Sequence, residues 1–108
     1  MLYMFHGGLQ KPDNMTNEEF YQLWEKESEA ALELMNNGMV KAAYKVAGAP
    51  EVIAIFEVPD VHDLDNIILN LPIWKLGCSH LLSFVKWTPL RDYSYWYNDL
   101  KQLAHPND

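Results

Sequence analysis

Moving a proton to or from a carbon beside a carbonyl needs an acid or base whose acidity has been shifted towards neutrality. One carboxylate in this sequence stands where that shift is expected. At helical spacing Phe20, Leu23, Trp24, Ala31, Leu34 and Met35 form a single apolar stripe, and Glu27 falls inside it, whereas Glu25, Glu29 and Glu33 fall outside. A carboxyl group facing apolar neighbours rather than water is harder to ionise, which is the tuning a general acid or base requires. The structural alternative is a glutamate at the edge of the stripe that snorkels to solvent or pairs with Lys45.

Further candidates surround it. Tyr44 and Lys45 are adjacent on a strand, so they point to opposite faces and only one can look at Glu27. Glu57 shares a strand face with Ile53 and Ile55, which makes it a second partly buried carboxylate or a cross-strand partner of Lys45. His6 is in parity with Leu2 and Met4 and is expected in the same space between sheet and helices, or as a hydrogen-bonded structural residue. His80 lies two residues after Cys78, a spacing that does not by itself bring thiol to imidazole, so His80 is read as a site-lining acid, base or donor. Trp24, Trp74, Trp87, Tyr95 and Trp96 are candidates to line an apolar pocket for a ring-shaped ligand, or else are ordinary core.

The elements that must position these groups are marked by their punctuation. Leu2 to His6 reads as a strand closing on Gly7-Gly8, and Thr16 with Glu19 forms a capping-box signature for a helix over 17–36 that ends at Asn36-Asn37-Gly38. Residues 40–47 and 52–58 read as strands joined by Gly48-Ala49-Pro50, the second of them central. Asp60 is expected to cap a second helix carrying Val61, Leu64, Ile67, Ile68 and Leu71, stopped by Pro72. Residues 81–88 make a fourth strand stopped by Pro89. The order βαββαβ implies an α+β, ferredoxin-like domain over 1–90, a four-stranded antiparallel sheet with two helices on one face. The bare apolar face of such a sheet calls for a second copy of the chain, so a homodimer or larger homo-oligomer is expected. Residues 91–108 form a tail with Tyr93, Tyr95, Trp96 and Tyr97 around Ser94, expected to pack as a short helix on its own or a neighbouring subunit.

Composition narrows the function. The chain has 108 residues, 15 acidic against 8 basic, for a net charge of -7, which argues against nucleic acid or anionic membrane as partners. A lone cysteine, the lack of zinc-ligand spacing and the absence of a basic, apolar leader fit a reducing cytoplasm. No phosphate loop, GxGxxG, HExxH or nucleophile elbow occurs, so neither a cofactor nor a metal is expected. What remains is acid–base chemistry on a small apolar cyclic molecule.

In order along the chain stand Met1-Leu2-Tyr3 with Pro12 and Met15, Glu27, Gly38, Tyr44-Lys45-Val46-Ala47-Gly48, Ile55-Phe56-Glu57-Val58, Leu71-Pro72-Ile73-Trp74 and Thr88-Pro89-Leu90. Together, over about residues 1–90, these resemble the muconolactone delta-isomerase family of small dimeric α+β barrel proteins. Ser28 stands where that family's motif has a basic residue after the acid, and the aromatic tail replaces a short polar end. The resemblance implies a cofactor-free proton shift within an unsaturated lactone, with Glu27 carrying the proton and Lys45, Tyr44 or His6 steadying the enolate oxygen. Because the departures fall at the rim, a polyketide-like or aromatic ring compound, and cyclisation or dehydration, belong to the same expectation. A cofactor-free monooxygenase of a phenol and a non-catalytic small-molecule-binding module are the alternatives.

Overall fold

A computed structural model of the chain describes residues 1–107. In order come β1 (Leu2–Leu9), α1 (Asn17–Asn36), β2 (Val40–Lys45), β3 (Glu51–Glu57), α2 (Asp63–Leu69), α3 (Pro72–Lys75), a 3₁₀ turn (Ser79–Leu81), β4 (Leu82–Leu90) and α4 (Tyr93–Ala104). The four strands make one antiparallel sheet ordered β2-β3-β1-β4, the ferredoxin-like arrangement, with the 52–58 region central as expected.

Local chemistry sets the boundaries. Thr16 Oγ accepts from the Glu19 amide and Glu19 Oε1 accepts from the Thr16 amide, each at 3.1 Å, so the capping box forms. Gly38 ends α1 at φ +83°, a conformation a side chain would strain. Four expectations need correction. β1 continues past His6 through Gly7, Gly8 and Leu9, because both flanking strands extend far enough to pair with it. Pro89 does not stop β4: the strand lies at the sheet edge with β1 its only neighbour, where a missing N–H can face outward. Asp60 does not cap α2. Its carboxylate accepts from the His62 amide in a turn, His62 occupies the cap position, and Val61 is exposed. Pro72, rather than only ending a helix, opens α3, where its lack of an N–H costs nothing.

Strand parity then divides the side chains. On the inner face, Tyr3, Ala54, Phe56, Val40 and Val58 pack with Leu64 of α2 in one core cluster. A second cluster joins Leu9 to Phe20 and Leu23 of α1, Ile73 of α3 and Leu81. The outer face carries Leu2, Met4, His6, Ile53, Ile55 and Phe84 by register. α4 has no buried residue, and the chain measures 65 by 27 by 20 Å. The packing of this tail on its own subunit is therefore not found. No helix among the described residues is long and apolar enough to cross a membrane.

Candidate active site

Between the two core clusters the inner face leaves a cavity of about 340 Å³, within the range of small-molecule sites. Small residues create it. Ala43 and Ala54 face each other across β2 and β3, and Ala31 looks in from α1. Gly7 contributes bare backbone, and a Cβ there would stand 2.5 Å from the Phe5 ring that covers it. Phe5, Phe56 and Trp87 form an aromatic wall, with Trp87 edge-on to each phenylalanine at 5.2 Å between centroids. Trp24 of α1 and Trp74 of α3 line it from the helix side. Trp24, Trp74 and Trp87, expected to line an apolar pocket, stand on this lining.

Glu27 enters the cavity one helical turn before Ala31, as the stripe on α1 requires. Its Oε1 accepts a hydrogen bond from the Ile73 amide. That amide is available because first-turn helix N–H groups have no partner within the helix. Among the described residues no hydrogen-bond partner is found for the other oxygen, Oε2, which is not fully buried. Burial pushes the Glu27 pKa above the ordinary glutamate value, and the Ile73 N–H, which favours the charged form, offsets part of that rise. The pairing of Glu27 with Lys45 does not occur.

The other polar candidates lie elsewhere. β1 presents Phe5, Gly7 and Leu9 to the cavity, so His6 points to the opposite face, where Nε2 meets Glu51 Oε1 at 2.7 Å and the ring packs edge-on against Phe84. Alternation likewise sends Tyr44 and Glu57 outward. Tyr44 is 64% exposed, and Glu57 stands 3.7 Å from the N-terminal amine rather than beside Lys45. Lys45 folds its ammonium onto the β2–β3 turn, donating to Val46 O and Ala49 O at 2.9 Å each. His80 is exposed on the 3₁₀ turn, and Tyr95 and Trp96 lie on α4; none of them lines the cavity. None of the five expected polar partners of Glu27 therefore reaches it: parity excludes His6, Tyr44 and Glu57, Lys45 is held by the turn, and His80 lies on the exposed 3₁₀ turn.

Two lining groups escaped the sequence reading. Asp65, exposed on α2, reaches the rim of the cavity, and its position three residues before Ile68 was the available signal. The Ile73 amide is a backbone donor that no side-chain pattern reveals. Among the described residues no three His, Cys, Asp or Glu side chains come together to hold a metal ion.

The family model described as muconolactone delta-isomerase matches residues 1–94. The chain belongs to the muconolactone delta-isomerase family. A crystal structure of muconolactone isomerase is similar at a TM-score of 0.70 and 23% identity, covering 85% of this chain and 90% of that one. The 5-chloro-2-hydroxyhydroquinone dehydrochlorinase of Burkholderia phenoliruptrix AC1100, in complex with 2,5-dihydroxybenzoquinone, is similar at 0.60 and 11% identity, covering 84% and 94%. At these identities the two structures establish the shared fold. No curated protein matches the chain by sequence. The family match ends just inside α4, so most of the aromatic helix lies beyond the matched segment.

Proposed function

We propose that the chain is an isomerase that shifts a proton within a small unsaturated cyclic carbonyl compound, with Glu27 as the proton carrier and no cofactor. The observation that carries this reading is the Glu27 carboxyl in a largely apolar cavity, one oxygen anchored by the Ile73 amide and the other not fully buried. In the ionised form Oε2 takes a proton from the carbon between the carbonyl and a double bond. The C–H electron pair passes into a dienolate, and the carboxylic acid so formed returns its proton to the far end of that conjugated system. Atoms balance within the substrate. Anchoring Oε1 keeps the carboxyl from turning away between the two steps, which is a positional advantage.

The enolate oxygen needs a donor. Lys45, Tyr44 and His6 do not line the cavity, whereas the indole N–H groups of Trp24, Trp74 and Trp87 have no hydrogen-bond partner among the described residues. We assign that role to one or more of these indoles. The same base supports a related elimination, in keeping with the dehydrochlorinase named above. Family membership favours the isomerase over the monooxygenase and over a pure binding module.

The same reading takes the working protein as a homodimer or larger homo-oligomer joined through the outer sheet face, where Phe84 is 41% exposed and packs edge-on against His6. Sedimentation analysis reads this directly, and a monomer at micromolar concentration would contradict it.

Conversion of 3-cyclohexenone to its conjugated isomer, followed by ultraviolet absorbance, tests the chemistry. Wild-type protein is expected to accelerate it, and Glu27→Gln, which keeps the acceptor for Ile73, is expected to lose at least about 100-fold. Equal rates in both proteins would remove Glu27 from the reaction.

A further inference from the structure

The charge of the cavity wall is as informative as its shape. Among the described residues, Glu27 and Asp65 are the only ionisable side chains that line it, and both are acids. The chain has 8 basic residues, and none of them lines it. Lys45, Lys86 and Arg91 are committed elsewhere. Lys45 is held by the carbonyls of its turn, and Lys86, in register with His6, points to the outer face. Arg91 pairs with Asp99 at 2.9 Å beyond the sheet. Of the four histidines, His6 faces outward and none contributes to the lining. Ser28, one residue after Glu27, does reach the lining, but its hydroxyl donates to Trp24 O and carries no charge.

A carboxylate entering this space would lose its water, find no cation to replace it, and stand beside two acids. The net charge of -7 adds a repulsive field around the whole chain. Resting on the reading of this cavity as the reaction site, we propose that its substrate is an uncharged ring compound and that carboxylate-bearing rings are rejected at binding. Specificity for charge is then built from an absence of cations and from Asp65. Size points the same way. At the packing density of an organic liquid, about 0.5–0.6, a cavity of about 340 Å³ suits a molecule of roughly 170–200 Å³, two or three fused rings with few polar atoms.

A matched pair of probes separates charge from shape: methyl 1-naphthoate and the 1-naphthoate anion, titrated at neutral pH against the full chain. Quenching of the lining tryptophans reports binding without turnover, and calorimetry confirms it. The ester is expected to bind about 100-fold more tightly than the anion. Ser28→Lys, which puts a cation on the wall, is expected to narrow that ratio at least about tenfold. A preference for the ester below about tenfold, tighter binding of the anion, binding of neither probe, or a ratio unmoved by Ser28→Lys would each overturn the proposal. The outcome is separable from the fate of the proton-carrier reading. A strong ester preference in a protein whose Glu27→Gln variant still isomerises would remove Glu27 and leave the charge rule standing, and the converse pattern would do the opposite.

Discussion

Replacing Ala43 by phenylalanine asks whether the cavity is truly empty space. Ala43 sits on the edge strand β2, half-buried, opposite the 7%-exposed Ala54, with about 340 Å³ of open volume beside both. A phenyl ring pointing inward would occupy part of that volume against Phe56 and Trp87 instead of displacing packed atoms. Full burial of such a side chain is worth about 1.5–3 kcal/mol, and partial burial beside an open mouth about 1–2 kcal/mol. Strand propensity favours the change as well. For a domain of this size that stabilisation corresponds to a rise in Tm of roughly 4–8 °C per kcal/mol. Urea denaturation and thermal melts give the stability, and titration with methyl 1-naphthoate gives the remaining site. The variant is expected to be more stable and to bind the probe at least about tenfold more weakly. Had the space been closed in solution, the added ring would overpack the core and cost about 1–3 kcal/mol. A destabilised variant that still bound the probe would therefore refute the cavity.

Leu81 has no exposed surface and bridges Ile73 to α1, so Leu81→Ala should lower stability by about 2–5 kcal/mol in urea denaturation, and a loss under about 1 kcal/mol would contradict the packing. Thr16→Ala removes one half of the α1 capping box and should cost about 1 kcal/mol, read the same way, with Thr16→Ser largely restoring it. Glu27 makes stability depend on pH in a fixed direction. Its folded pKa lies above its unfolded one, so the folded state holds the proton longer and loses stability as pH rises from the ordinary glutamate value through the raised one. Glu27→Gln lacks that loss, so its stability relative to wild type should climb across that window, and a difference that is flat or falls with pH would contradict the sign.

The parts of this protein that were legible in sequence are those governed by local rules. The capping box at Thr16, the stop at Gly38 and the apolar stripe on α1 each encode their own outcome, and with them the inward direction of Glu27. Strand faces were less legible, because which parity meets the helices depends on tertiary packing. His6 and Phe5 are neighbours with equal claims on local grounds, and it is Phe5, packed edge-on with Trp87, that faces inward. His6 then completes a pair with Glu51 across the outer face. Lys45 has inward parity, yet two turn carbonyls within reach of its flexible stem hold the ammonium outside. The Ile73 amide depends on where α3 docks against α1, which no pattern of side chains records. α4 has a clear amphipathic sequence but no surface of its own subunit to cover.

The central claim is that Glu27 is an acid–base group detuned by an apolar cavity and open to its contents. Titration of the Glu27 carboxyl by carbon NMR in selectively labelled protein, with Glu27→Gln as the assignment control, tests it most directly. The account predicts a pKa above the ordinary glutamate value that rises further when methyl 1-naphthoate displaces water from the cavity. A pKa at or below the ordinary value, unmoved by the ligand, would contradict it.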